Sequence, residues 1–302
     1  MRKKKSFLPL FLSLMTCALI VAIFYVNVFS SENKIDSTSL DGVDIVSPYG
    51  VLMDVKSGET LWEKNGAERL YPASLTKMMT AIVVLENLED LSVPVVLSNE
   101  IFAAVYASHA SVAGFVSGET ASAKDLLYGM MLCSGGEAAL GLADYIAGSE
   151  EAFVVLMNEK AKDLGLVDTH FANVTGLQDE NHYATAQDLG VILAYGLKNT
   201  TFREIFTTVS YQTESSDYHP EGILFTSTMF EEMGTAAFTG GVILGGKTGY
   251  TEAAGLCLAS LAEVKGRELI LITAGADGNH DTNPFHIEDA LKIYGALGAT
   301  EE

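Results

Sequence analysis

Tyr71-Pro72-Ala73-Ser74-Leu75-Thr76-Lys77-Met78-Met79-Thr80 is the stretch on which the reading of this chain turns. Pro72 leads into an apolar-rich run in which Met78, Met79, Ile82, Val83 and Leu85 recur at helical spacing. A helix over roughly Ser74 to Glu89 is predicted, with those side chains inward. Ser74 and Lys77 are three residues apart, one helical turn along the same face. The hydroxyl is then within reach of an amine that can take its proton. Far downstream, Lys247-Thr248-Gly249 offers a fixed positive charge, a hydroxyl and a glycine at the end of a predicted strand. A serine with its base, and a cation able to hold a carboxylate, describe an acyl-transfer site.

The segments around these motifs predict the architecture. Tyr49 to Val55 alternates apolar residues, Lys56-Ser57-Gly58-Glu59 supplies a turn, and Thr60 to Lys64 completes a hairpin. Lys124 to Ile146 is helical around a break at Ser134-Gly135-Gly136. Ala152 to Leu164 is a helix ending at Gly165. Thr185 to Leu197 is another, with Thr185 as its cap and Asp188 following. After Phe238 strands return: Gly255 to Ala262, a turn at Lys265-Gly266-Arg267, and Glu268 to Ala274. Phe285 to Leu297 closes as a helix. Strands at both ends with helices between predict an α/β (α+β) fold. In it an antiparallel sheet, assembled from the termini, is flanked by helices and carries an inserted helical region.

Composition narrows the function classes. The chain has 302 residues and a net charge of −21. Without the basic tail Arg2 to Lys5, 14 Lys and Arg stand against 39 Asp and Glu, a balance of −25. Nucleic acid is excluded as a partner, because phosphate contacts need a basic face. The tail is followed by an apolar run from Phe7 to Phe29, about the ~20 residues that span a bilayer as a helix. The basic flank then stays in the cytoplasm and the rest lies outside it. The run is longer than the apolar core of a typical signal peptide, and no clear cleavage site follows it. An uncleaved anchor is the reading; secretion after cleavage is the alternative. Residues 1–30 are thus tail and anchor, 31–42 a polar linker, and 43–302 one catalytic domain. Beyond the run only Cys133 and Cys257 remain, too few for a disulfide framework. They read as free thiols, with a bridge between them left open. No Cys/His spacing suits zinc, and His280-Asp281 and His286 read as loop and helix-start residues.

Longer blocks carry a resemblance. Tyr71 to Thr80 resembles the nucleophile motif of the serine D-alanyl-D-alanine carboxypeptidases, the low-molecular-weight penicillin-binding proteins. Gly246-Lys247-Thr248-Gly249-Tyr250-Thr251-Glu252-Ala253-Ala254-Gly255 is similar to their third motif with its flanks. His170-Phe171-Ala172-Asn173-Val174-Thr175-Gly176-Leu177 and His182-Tyr183-Ala184-Thr185 also look like this family. The resemblance runs from about Tyr49 to Leu271. It implies the penicillin-binding protein and serine β-lactamase catalytic fold, and no cofactor. It implies a peptidoglycan stem peptide ending in D-Ala-D-Ala as substrate and β-lactams as inhibitors. Ser74 would be the nucleophile, Lys77 its base, and Lys247 with Thr248 the holder of the substrate carboxylate. The backbone N–H groups of Ser74 and Tyr250 would form the oxyanion hole. Lys77 must be neutral to act as a base, which burial and a nearby cation such as Lys247 would favour. Gly249 would let the substrate backbone lie against the strand edge.

Two departures from the pattern matter. The family's second motif is Ser-x-Asn, and here it reads Ser134-Gly135-Gly136. Ser134 aligns with a serine that relays a proton between Lys77 and the leaving amine. Gly136 stands where an asparagine would orient the lysine and hold a substrate carbonyl, and water or Glu137 would have to substitute. Restoring asparagine is expected to raise turnover if the site has room. The chain also ends after one helix and Glu301-Glu302, where many relatives continue into a β-rich domain and an amphipathic anchor. The N-terminal segment would take the anchor's place. A β-lactamase would need a carboxylate for deacylation, often in a Glu-x-x-Leu-Asn stretch, which is missing. A silent penicillin- or peptidoglycan-binding module, with Gly136 marking decayed catalysis, is the rival outside the enzyme class.

Overall fold

The computed structural model describes residue 35, residues 37–279 and residues 281–299. The basic tail, the apolar run Phe7–Phe29 and His280 lie outside the described residues. Among the described residues no helix is long and apolar enough to cross a membrane.

Six antiparallel strands make the central sheet: β1 (Tyr49–Asp54), β2 (Thr60–Lys64), β3 (Ala237–Phe238), β4 (Gly241–Thr251), β5 (Gly255–Val264) and β6 (Arg267–Ala276). Their order is β2-β1-β6-β5-β4-β3. The N-terminal hairpin therefore lies against the last strand, with Val51 opposite Ile272, as strands at both ends of the sequence predict. Both faces of the sheet are covered. Helix α6 (Ala186–Gly196) lies on one, where a Cβ at Gly190 would stand 2.5 Å from Met53 Sδ. Helix α9 (Phe285–Ala299) covers the other, and its buried Tyr294 hydroxyl lies 3.1 Å from Ser260 Oγ. Sandwiched in this way, β5 reads as an almost unbroken apolar run rather than an alternation.

The inserted helical region holds α1 (Lys77–Asn87), α2 (Asn99–Ala107), α3 (Ala123–Leu132), α4 (Gly136–Ala147), α5 (Glu150–Asp163), α7 (Thr200–Thr207) and α8 (Thr228–Glu232), with α6 among them. Caps set the ends that the sequence predicts. Thr185 Oγ1 accepts from Asp188 N at 3.0 Å, and Gly165, with φ +76°, follows α5. Met78, Met79 and Val84 of α1 are fully buried. Burying each side chain of this kind contributes about 1.5–3 kcal/mol, which fixes the helix that carries Lys77. Helices α2 and α7 were not assigned from sequence, though both are capped, by Ser98 and Asn199. The fold also begins earlier than the predicted linker allows. Ser37–Leu40 forms a 3-10 turn against α9, and Leu40 is buried.

Candidate active site

Ser74 does not lie in the first turn of α1, as the periodicity suggests. It sits in a 3-10 turn, Ala73–Thr76, and α1 begins at Lys77. In the tighter 3-10 geometry side chains three apart eclipse one another, so the pair still meets: Lys77 Nζ is 3.0 Å from Ser74 Oγ. Ala73 holds φ +45°, a left-handed conformation that costs a non-glycine residue about 1–3 kcal/mol. Two glycines let neighbouring chain press on this turn. A Cβ at Gly176 would stand 1.8 Å from Ala73 O, and one at Gly249 would stand 3.0 Å from Ser74 N. A side chain at Gly249 would therefore press on the backbone of Ser74 itself.

Lys77 is almost completely buried. Burial first, and the charge of Lys247 second, hold its amine well below the ordinary lysine range, while Glu137 acts in the opposite sense. Its second hydrogen bond goes to Thr175 O at 2.7 Å. Asn173 shapes the turn that presents this carbonyl. Its Oδ1 accepts from Gly176 N at 2.7 Å and from Leu177 N at 3.1 Å, and its Nδ2 donates to Leu177 O at 2.9 Å. His182 braces the same turn against the nucleophile. Ala172 N donates to its Nδ1 at 3.2 Å, which leaves the Nε2 proton for Thr76 Oγ1 at 2.7 Å. Burial draws the ring down to about 4, so it is neutral.

Ser134 occupies a left-handed conformation, φ +63°, between α3 and α4. Its buried Oγ has no hydrogen-bond partner among the described residues. It borders the same cleft as Ser74, but the amine of Lys77 is engaged with Ser74 and Thr175 instead. Gly136 N donates to Ser111 O at 2.7 Å. A Cβ there would meet Ala110 Cβ at 3.0 Å and Ser111 O at 3.2 Å, so a side chain fits only if the Ala110–Ser111 segment gives by a few tenths of an ångström. Glu137 does not replace that asparagine either. Its Oε1 accepts from Ala113 N at 2.6 Å and Gly114 N at 3.1 Å, and burial raises its carboxyl above the usual range.

Lys247 is buried beside Thr248, which lines the cleft, and its Nζ donates to Thr248 O at 2.9 Å. Burial draws its ammonium down to about 7. The cleft itself, about 290 Å³, is bordered there by hydroxyls, those of Thr248 and Thr228. Their Oγ1 atoms are 2.6 Å apart. Nothing in the sequence marks Thr228, because no helix is predicted around it; the structure places it at the start of α8. Tyr250 borders both this cleft and a smaller space beside Lys77. Cys133 lies at the cleft and Cys257 is buried; both are free thiols. Among the described residues no group of three or more His, Cys, Asp or Glu side chains is placed to hold a metal ion.

The family model described as D-alanyl-D-alanine carboxypeptidase matches residues 35–278. The chain belongs to this family. D-alanyl-D-alanine carboxypeptidase DacF of Bacillus subtilis is 34% identical over 238 residues, covering 77% of this chain and 58% of the relative. DacC of Escherichia coli is 36% identical over 176 residues, covering 56% and 43%. The chain thus spans about half the length of these two relatives. A Streptomyces D-alanyl-D-alanine carboxypeptidase matches more completely, 34% identical over 265 residues, with 85% of this chain and 89% of the relative covered. The crystal structure of the Streptomyces DD-transpeptidase superposes with a TM-score of 0.76 at 29% identity, over 85% of this chain and 98% of that one. The fold is accordingly the one that the motifs imply.

Proposed function

We propose that the protein is an extracytoplasmic serine D,D-carboxypeptidase that removes the terminal D-alanine from peptidoglycan stem peptides. The observation that carries this reading is the 3.0 Å contact between Ser74 Oγ and a lysine amine depressed by burial. Membership of the D-alanyl-D-alanine carboxypeptidase family supports it. Ser74 gives its proton to neutral Lys77, and Oγ attacks the carbonyl carbon of the penultimate D-alanine. The developing oxyanion is taken by the N–H groups of Ser74 and Tyr250. The free carboxylate of the substrate rests on the Thr228 and Thr248 hydroxyls, with the charge of Lys247 behind them. Lys77 turns to Ser134, whose hydroxyl has no hydrogen-bond partner among the described residues; Ser134 takes the proton from the Lys77 ammonium as it gives its own to the leaving amine, and D-alanine departs. Water then hydrolyses the ester on Ser74. A β-lactam opens on the same serine and leaves it acylated. The apolar run Phe7–Phe29 would keep the enzyme at the membrane, near its substrate.

The test is direct. Labelled penicillin should mark Ser74 by peptide mapping, and the protein should release D-alanine from a D-Ala-D-Ala peptide. Ser74→Ala should abolish both. A label on another residue, or release that survives in Ser74→Ala, would sink the assignment.

A further inference from the structure

Ser111 borders two spaces at once. It lines the main cleft with Ser74, Ser134 and Tyr250, and the smaller space that holds Lys77 and Thr175. The residue is exposed. Its position is nevertheless fixed, because three hydrogen bonds clamp its segment to the chain that carries Ser134. Gly136 N donates to Ser111 O at 2.7 Å. Ala113 N and Gly114 N donate to the buried carboxylate of Glu137 at 2.6 and 3.1 Å. The clamp also explains the crowding at position 136, whose missing side chain would run into Ala110 and the Ser111 carbonyl. Ser111 thus borders the cleft on a segment held by these three bonds, and the bonds use its carbonyl and its neighbours' N–H groups rather than its hydroxyl.

We propose that Ser111 is a substrate-binding residue. Its hydroxyl bonds the backbone amide of the residue preceding the scissile bond, a contact that Gly136 has no side chain to make. This rests on the carboxypeptidase reading above. A neutral hydrogen bond to substrate contributes about five- to tenfold in affinity. A contact made alike in ground state and transition state changes KM and leaves kcat.

The experiment compares wild type, Ser111→Ala and Ser111→Thr on a diacylated tripeptide ending in D-Ala-D-Ala, together with their melting temperatures. The expected result for Ser111→Ala is a KM raised about five- to tenfold, with kcat within about twofold. Threonine should restore KM, and the melting temperatures should agree. An unchanged KM in Ser111→Ala overturns the proposal. So does a loss confined to kcat or accompanied by a lower melting temperature, which would assign Ser111 to loop structure. If the wild type releases no D-alanine, the carboxypeptidase reading fails, and acylation by labelled penicillin decides the role of Ser111 separately. Slower acylation of Ser111→Ala, restored by threonine, supports the role; equal rates overturn it. A wild type that neither hydrolyses nor is acylated overturns both readings.

Discussion

The carbonyl oxygen of Thr175 lies 2.7 Å from the amine of Lys77. A neutral amine has two N–H groups and one lone pair. With one N–H spent on this carbonyl, the lone pair can turn to Ser74 Oγ, 3.0 Å away. Where the motif pattern has an asparagine two residues after Ser134, position 136 has no side chain, and the amine of Lys77 is instead bonded to a backbone atom from another loop.

That arrangement depends on Asn173, which organises Thr175–Leu177 through its amide. Asn173→Ala leaves those N–H groups without their acceptor, a loss of about 1–3 kcal/mol in the positioning of the turn. Acylation by labelled penicillin should slow about 10- to 100-fold, while the protein stays folded by circular dichroism. An acylation rate equal to the wild type would show that the Thr175 carbonyl does not orient Lys77.

Gly176 admits the same turn against the nucleophile. It holds φ +86°, and a Cβ would meet Ala73 O at 1.8 Å. Neither problem can be relieved by a rotamer change, since backbone opposes backbone. Gly176→Ala should destabilise the protein by more than about 3 kcal/mol or prevent its accumulation, as read by chemical denaturation. A normal denaturation midpoint would mean that the loop is not packed on Ala73.

How legible was this site in the sequence? Ser74, Lys77 and Lys247 stood out because their chemistry is carried by side-chain type at fixed spacing. The paired hairpins were legible from alternation and turns, and the buried strand β5 from its apolar run. The loop contacts were not. Thr175 acts through a carbonyl that every residue possesses, and Ser111 is one of many loop serines. Both reach the site by packing across the fold rather than by spacing along the chain. The short helices α2 and α7 were missed for a related reason. Their caps are single residues, and each buries only three apolar residues, Ile101, Phe102 and Val105 in α2 and Phe202, Ile205 and Phe206 in α7.

The two buried lysines predict a bell-shaped pH dependence. Lys77 must be neutral, so kcat/KM should rise as pH climbs through its depressed pKa. Lys247 must be charged to hold a carboxylate, and burial draws it down to about 7 in the free enzyme. Binding of a free C-terminus should therefore be strong below pH 7 and weaken as pH rises through about 7. A substrate blocked as the C-terminal amide should bind poorly and lose the falling limb, while keeping the rising one. Equal falling limbs for acid and amide would detach Lys247 from carboxylate recognition.

Position 136 gives the sharpest contrast between pattern and packing. The motif pattern alone recommends Gly136→Asn as a repair. The packing argues against it. A Cβ meets Ala110 Cβ at 3.0 Å and Ser111 O at 3.2 Å, and Gly136 N is already bonded to that same carbonyl. Accommodating a side chain requires the Ala110–Ser111 segment to move, and overpacking of this kind costs about 1–3 kcal/mol. The melting temperature should fall by about 2–8 °C. The displaced segment also carries Ser111 away from the cleft, so turnover of D-Ala-D-Ala peptides should drop rather than rise. Gly136→Ala should show the same direction with a smaller effect, because it adds the clashing atom and nothing more. A Gly136→Asn protein that melts at the wild-type temperature and turns over faster would mean that the loop yields freely, and that the missing amide had been limiting after all.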